Sequence, residues 1–83
     1  MIKIFVLNVP EFAPLVQDAT RQGLSVSSIR DGDYSVISSE TDVRFERKRL
    51  GVKPAVWYGL FTGGVDGVIE RFDRDSVRIA SSA

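Results

Sequence analysis

The chain has no cysteine and no histidine, so an 83-residue fold has neither disulfides nor the usual zinc ligands to hold it together. A chain this short buries only roughly 60% of the surface that its unfolded form exposes. Disulfides are excluded, and a structural zinc site lacks its usual thiolate or imidazole ligands. The remaining routes to stability are a dense core and self-association. An apolar content of 43% suits a globular domain rather than a disordered segment. One domain spanning residues 1–83 is expected, with residues 81–83 frayed at the end.

Eleven basic residues balance eleven acidic ones. Zero net charge gives little colloidal repulsion, which fits a protein that buries surface in a partner. It argues against non-specific nucleic-acid binding by the whole domain. No apolar run approaches the ~18 residues of a membrane span. The apolar N-terminal run lacks a small-residue cleavage site and reads as a first strand rather than a signal peptide. No membrane contact is expected, and the default address is the cytoplasm.

Periodicity and punctuation divide the chain into eight elements in the order β-α-β-β-β-α-β-β. Ile2, Ile4 and Val6 alternate with Lys3 and Phe5, giving a strand with one apolar and one mixed face. Phe12, Leu15, Val16 and Ala19 form one stripe of a helix, with Gln17, Asp18 and Arg21 facing away. That helix should begin near Pro10 or Glu11, which keeps Pro14 in its first turn, and Gly23 should end it.

Residues 24–50 read as a three-stranded antiparallel meander. Its turns fall at Arg30-Asp31-Gly32-Asp33 and Glu40-Thr41-Asp42. Pro54 should open a second helix and Gly63 should end it. A strand is the rival reading there, because the segment is apolar on every side. Residues 67–72 and 76–80 form a closing hairpin around Asp73-Arg74-Asp75. The fold class is α+β, an antiparallel sheet with helices on one face.

Catalysis by the familiar nucleophile systems is closed without histidine or cysteine. The candidate carboxylate pairs are Asp31 with Asp33, Asp73 with Asp75, and Glu46 with Glu70. The first two pairs fall in turns, where Asp bonds its own backbone. Lys53 is the one candidate lysine nucleophile, and it requires desolvation. The glycines of residues 62–67 lack the Lys-Ser/Thr of a P-loop and fit a helix stop followed by a turn. No catalytic residue, metal or cofactor is expected.

Two surfaces remain. Residues 53–68 hold the only Trp, one Tyr and four of the seven Gly. The contact surface of a homodimer or of another protein partner is expected at Trp57, Tyr58, Leu60 and Phe61. Because Trp57 and Tyr58 are adjacent, one should anchor the core while the other, Tyr58, reaches the surface.

The alternative is an RNA or anion site using Arg44, Arg47, Lys48, Arg49 and Lys53. A strand would split those cations between its faces, whereas a strand ending near Arg47 would let the last three converge. The bland reading of the cluster is an edge strand protected by charge. The primary expectation is a non-enzymatic binding or accessory module. A small enzyme or ligand pocket at Gly63 and Gly64 is the third alternative.

Residues 14–45 combine a helix, Gly23-Leu24, a hairpin around Asp31-Gly32-Asp33-Tyr34 and a third strand. This order is similar to that of the HicA-type toxin fold and of double-stranded-RNA-binding domains. The similarity covers under half of the chain. The HicA-type family depends on a histidine in the hairpin, which this chain lacks, so its ribonuclease activity is not implied.

Overall fold

A computed structural model describes residues 1–81. The chain is an α+β domain whose strands divide between two antiparallel sheets. The elements are β1 (Ile2–Leu7), α1 (Ala13–Arg21), β2 (Ser25–Ile29), β3 (Tyr34–Ser39), β4 (Val43–Glu46), α2 (Arg47–Leu50), α3 (Pro54–Gly59), β5 (Val65–Asp66), β6 (Val68–Phe72) and β7 (Ser76–Ala80). A 3-10 turn at Pro10–Phe12 leads into α1 and leaves Pro14 in the helix's first turn, as its missing N–H requires.

The first sheet has the order β2-β3-β1-β5. Both β1 and β2 run antiparallel to β3, so they are parallel to each other with β3 inserted between them. This is a split β-α-β unit, with α1 in the crossover. The inward residues of β1, Ile2, Ile4 and Val6, are almost fully buried. Such an apolar strand gains most from a central position, and it occupies the edge of β3 that a meander would have given to β4.

The expected meander is therefore broken after β3. Residues 40–42 carry the chain into a second sheet, β4-β7-β6, where Val43 lies opposite Ile79 and Phe45 opposite Val77. The similarity to the HicA-type and double-stranded-RNA-binding order consequently stops at Ser39.

One core joins both sheets. Ile4, Val6 and Ile37 from the first meet Val43, Phe45, Val77 and Ile79 from the second, with Leu15, Ala19, Trp57, Leu60 and Phe61 from the helical segments. The C-terminus of α1 closes as a Schellman motif: Leu24 N–H donates to Ala19 O at 3.0 Å and Gly23 N–H to Thr20 O at 3.0 Å, with Gly23 at φ +83°. Helix α3 ends at Gly59, four residues before the expected stop, and a turn carries the chain on to Gly64. Of the expected frayed end, Ser81 accepts a 3.4 Å bond from the Met1 amine, and the rest lies outside the described residues. Among the described residues no helix is long and apolar enough to cross a membrane.

Candidate functional site

The aromatic segment builds the core rather than a surface. Trp57 is fully buried, and its indole N–H donates to the Asp73 carbonyl at 2.7 Å. Phe61 and Phe72 meet it edge-on, with centroids at 6.0 and 5.9 Å. Leu60 and Phe61 are buried as well. Of the four residues expected to contact a partner, only Tyr58 reaches solvent, 49% exposed and leaning on Phe72. The other three are unavailable to a partner because an 83-residue chain needs its largest apolar side chains inside.

The glycine loop is a packing joint. A Cβ at Gly63 would collide with the Phe5 carbonyl, and Gly64 O accepts the Phe5 N–H at 3.0 Å. Its glycines let the loop approach the edge of β1 closely.

The basic cluster divides: Arg44 and Lys48 border one concavity with Arg71, while Arg47 and Arg49 are held by other partners. Strand β4 ends at Glu46, and the cations after it turn into α2. Arg47 is a structural pin. Its side chain donates to Arg74 O at 2.9 Å and to Val52 O at 3.2 Å, and it faces Asp75 at 3.7 Å. Arg49 turns to Asp18 at 3.5 Å. The ammonium groups of Lys48 and Lys53 are exposed and make no ion pair or hydrogen bond among the described residues.

Arg44 points outward from β4. It lies in register with Arg78 of β7, which is itself opposite Arg71 of β6. This row of three arginines is answered by acids. Arg44 meets Glu46 at 3.5 Å, Arg71 meets Asp73 at 2.7 Å, and Arg78 meets both Asp42 at 3.2 Å and Glu70 at 3.3 Å. The outer face of the second sheet is thus zwitterionic, with alternating signs held in place.

Two of the three candidate carboxylate pairs are held by arginines, whereas the side chains of Asp31 and Asp33 make no ion pair or hydrogen bond among the described residues. Asp73 Oδ1 caps its turn, accepting the N–H groups of Asp75 and Ser76 at 2.9 Å each. The Arg71 hydrogen bond, followed by those backbone N–H bonds, lowers the Asp73 pKa to about 2. Glu46 and Glu70 lie on the two outer strands of the second sheet and pair with different arginines.

Asp18 corrects the sequence reading, which faced it away from the core. It is buried, and it receives Arg21 at 3.0 Å, Gln22 Nε2 at 2.8 Å and Arg49 at 3.5 Å. Gln22 also donates to Arg44 O at 3.0 Å, so this node ties α1 to α2 and β4. The Asp18, Arg21 and Gln22 spacing of i, i+3 and i+4 was a visible signal of local pairing. The contribution of Arg49 was not visible.

Other large apolar side chains are exposed on both sheets, Val68 and Ile69 on β6 of the second and a group on the first. Helix α1 packs on the inward side of the first sheet. Its outward side carries Phe5 and Leu7 from β1, Tyr34 and a buried Val36 from β3, and Ile29 from β2. Leu7 and Ile29 are 41% and 39% exposed, and no element covers them among the described residues. The mixed outer face of the first strand was the sequence signal for this patch.

The four sheet edges differ in protection. Strand β4 carries Arg44 and Glu46; β6 carries Glu70, Arg71 and an irregular register between Ile69 and Arg71; β5 is two residues long. Strand β2, Ser-Val-Ser-Ser-Ile, has no charge, no proline and no bulge, and every residue in it is exposed. Charge, shortness and bulges are the usual guards of an edge, and β2 has none of them.

No protein-family model matches the chain, and no curated protein matches it significantly.

Proposed function

We propose that the chain is a non-enzymatic interaction module that works as a homodimer, with β2 of one copy pairing antiparallel to β2 of its partner. The unguarded β2 edge beside an uncovered apolar face is the observation that carries this reading. An antiparallel pair centred on Ser27 is isologous, so one two-fold axis satisfies both copies and leaves no further β2 edge open. It sets Ile29 of each copy opposite Ser25 of the other. Zero net charge adds no long-range repulsion between copies. The acids Asp18, Asp73, Glu46 and Glu70, each held by arginine, favour binding over acid–base chemistry.

A five-residue edge by itself buries less than the ~1,200 Å² of a stable interface, so the expected association is weak. Sedimentation velocity over a broad concentration range tests it. The expected result is a concentration-dependent dimer that Ser27→Lys converts to a monomer. A strict monomer at the highest concentration refutes the reading. So does a dimer that ignores Ser27→Lys and is lost instead in Tyr58→Ala.

The basic cluster as an RNA or anion site receives less support. Arg44, Arg47 and Arg49 already have protein partners, and although Arg44 and Lys48 border one concavity, Glu46 and Asp75 border it too.

A further inference from the structure

A groove of about 470 Å³ opens on the outward side of the first sheet, lined by Phe5, Ile29, Arg30, Tyr34 and Gly63. Its size falls within the usual range for small-ligand sites. Phe5 and Tyr34 stand on the two central strands as diagonal neighbours, since Phe5 lies opposite Val36 and Leu7 opposite Tyr34. Gly63 borders the Tyr34 ring, 3.5 Å from where its own Cβ would sit. The walls combine aromatic and aliphatic side chains with a comparable share of polar surface, and the floor is a sheet held by regular backbone bonds.

Arg30 supplies the one charge in the lining. Its guanidinium makes no ion pair or hydrogen bond among the described residues, although Asp31 and Asp33 are close in sequence. Most other arginines in the chain hold a carboxylate or a carbonyl. Arg30 also sits in left-handed backbone, at φ +54°, and Asp31 follows at φ +58°. Glycine would adopt either conformation without strain, whereas a side chain there carries a backbone cost. The tight β2–β3 connection imposes this conformation and with it sets where the Arg30 side chain leaves the backbone.

We infer that this groove binds a small planar aromatic anion, the ring lying against Phe5 and Tyr34 and the acidic group meeting the Arg30 guanidinium. Arginine suits that role because its planar fork pairs with a carboxylate or phosphate through two bonds. The site is complete within one copy, so it stands or falls separately from the β2 dimer.

Amide-resolved NMR titration with 2-naphthoate tests it, with acetate and the neutral 2-naphthalenemethanol as controls. The expected result is saturable shifts at Phe5, Ile29, Arg30, Tyr34 and Gly63, absent with acetate and weaker with the neutral ring. Arg30→Gln, at an exposed position, should keep the native spectrum and weaken 2-naphthoate binding about tenfold. Tyr34→Ser should weaken both ring-containing probes. Three results overturn the assignment: no saturable shifts at millimolar 2-naphthoate, shifts centred elsewhere, or equal affinity in Arg30→Gln. Repeating the titration with monomeric Ser27→Lys should give the same affinity.

Discussion

Replacing Trp57 by Phe separates a core anchor from an interface residue. In the fold Trp57 is fully buried, and its N–H bonds the Asp73 carbonyl. Phenylalanine would retain the edge-on stacking with Phe61 and Phe72 but leave unfilled volume. The lost burial and cavity cost about 1–2 kcal/mol. The Asp73 carbonyl also loses its donor, for a further ~1 kcal/mol. The total of roughly 2–3 kcal/mol is a large share of the ~4–12 kcal/mol expected for 83 residues. Urea unfolding followed by far-ultraviolet circular dichroism should show the midpoint falling by about 2–3 M, at a slope near 1 kcal/mol per molar. Work at low protein concentration isolates the monomer. Tyr58→Ala is the companion, expected to cost less than ~1 kcal/mol because that ring is half exposed. A midpoint shift below about 0.5 M for Trp57→Phe, or a larger loss in Tyr58→Ala, would refute the core assignment.

Gly63→Ala should cost about 1–3 kcal/mol, since the new Cβ meets the backbone carbonyl of Phe5 rather than a movable side chain. Calorimetry should show a drop of roughly 4–8 °C in Tm per kcal/mol lost, and an unchanged Tm would contradict the close approach. Asp18→Ala should destabilise by about 1–3 kcal/mol, below the cost of a fully buried pair, because Arg21 and Arg49 are half exposed and can turn to water; chemical denaturation reads it. The Asp73 pKa is lowered from 3.8 to about 2, so its stabilising share is complete above the unfolded value and is lost as pH falls through about 2. Denaturation at stepped pH should show the wild type weakening across that window and Asp73→Asn weakening less, whereas parallel profiles would remove the turn cap and Arg71 as the cause.

Local chemistry was legible where it is decided within a few residues. The period of two in Ile2, Ile4 and Val6 gives their shared face, and Gly23 marks its helix end through the left-handed residue the motif needs. The Trp57-Tyr58 pair divided as adjacency requires, one inside and one half out. Neighbours across space were not legible. Alternation in residues 43–46 shows which side is buried but not which strand lies beside it, so β4 could be assigned to the wrong sheet. Asp18 failed for a related reason. A helical stripe identifies apolar positions, while the partners of a buried acid on its border include Arg49 from another helix, which local spacing does not reveal. The same limit hid the β2 edge, which is an edge because β1 and not another strand took the far side of β3.

The division into two sheets bears directly on function. One sheet has two edges and two sheets have four, so this chain carries twice the usual exposure to unwanted pairing. The second sheet meets that exposure with charge: its outer face alternates arginine with acid, and both of its edge strands carry ionised side chains. The first sheet does the opposite. Its outer face presents Phe5, Leu7, Ile29 and Tyr34, and its longer edge is serine with Val26 and Ile29. Serine at an edge neither repels an incoming strand nor strains the backbone, so it leaves β2 competent to pair. A monomer with nothing to bind would gain solubility from one lysine in β2 at almost no cost in stability. The two sheets share one core and differ in what guards their edges, and that difference is the ground for the proposed β2 contact.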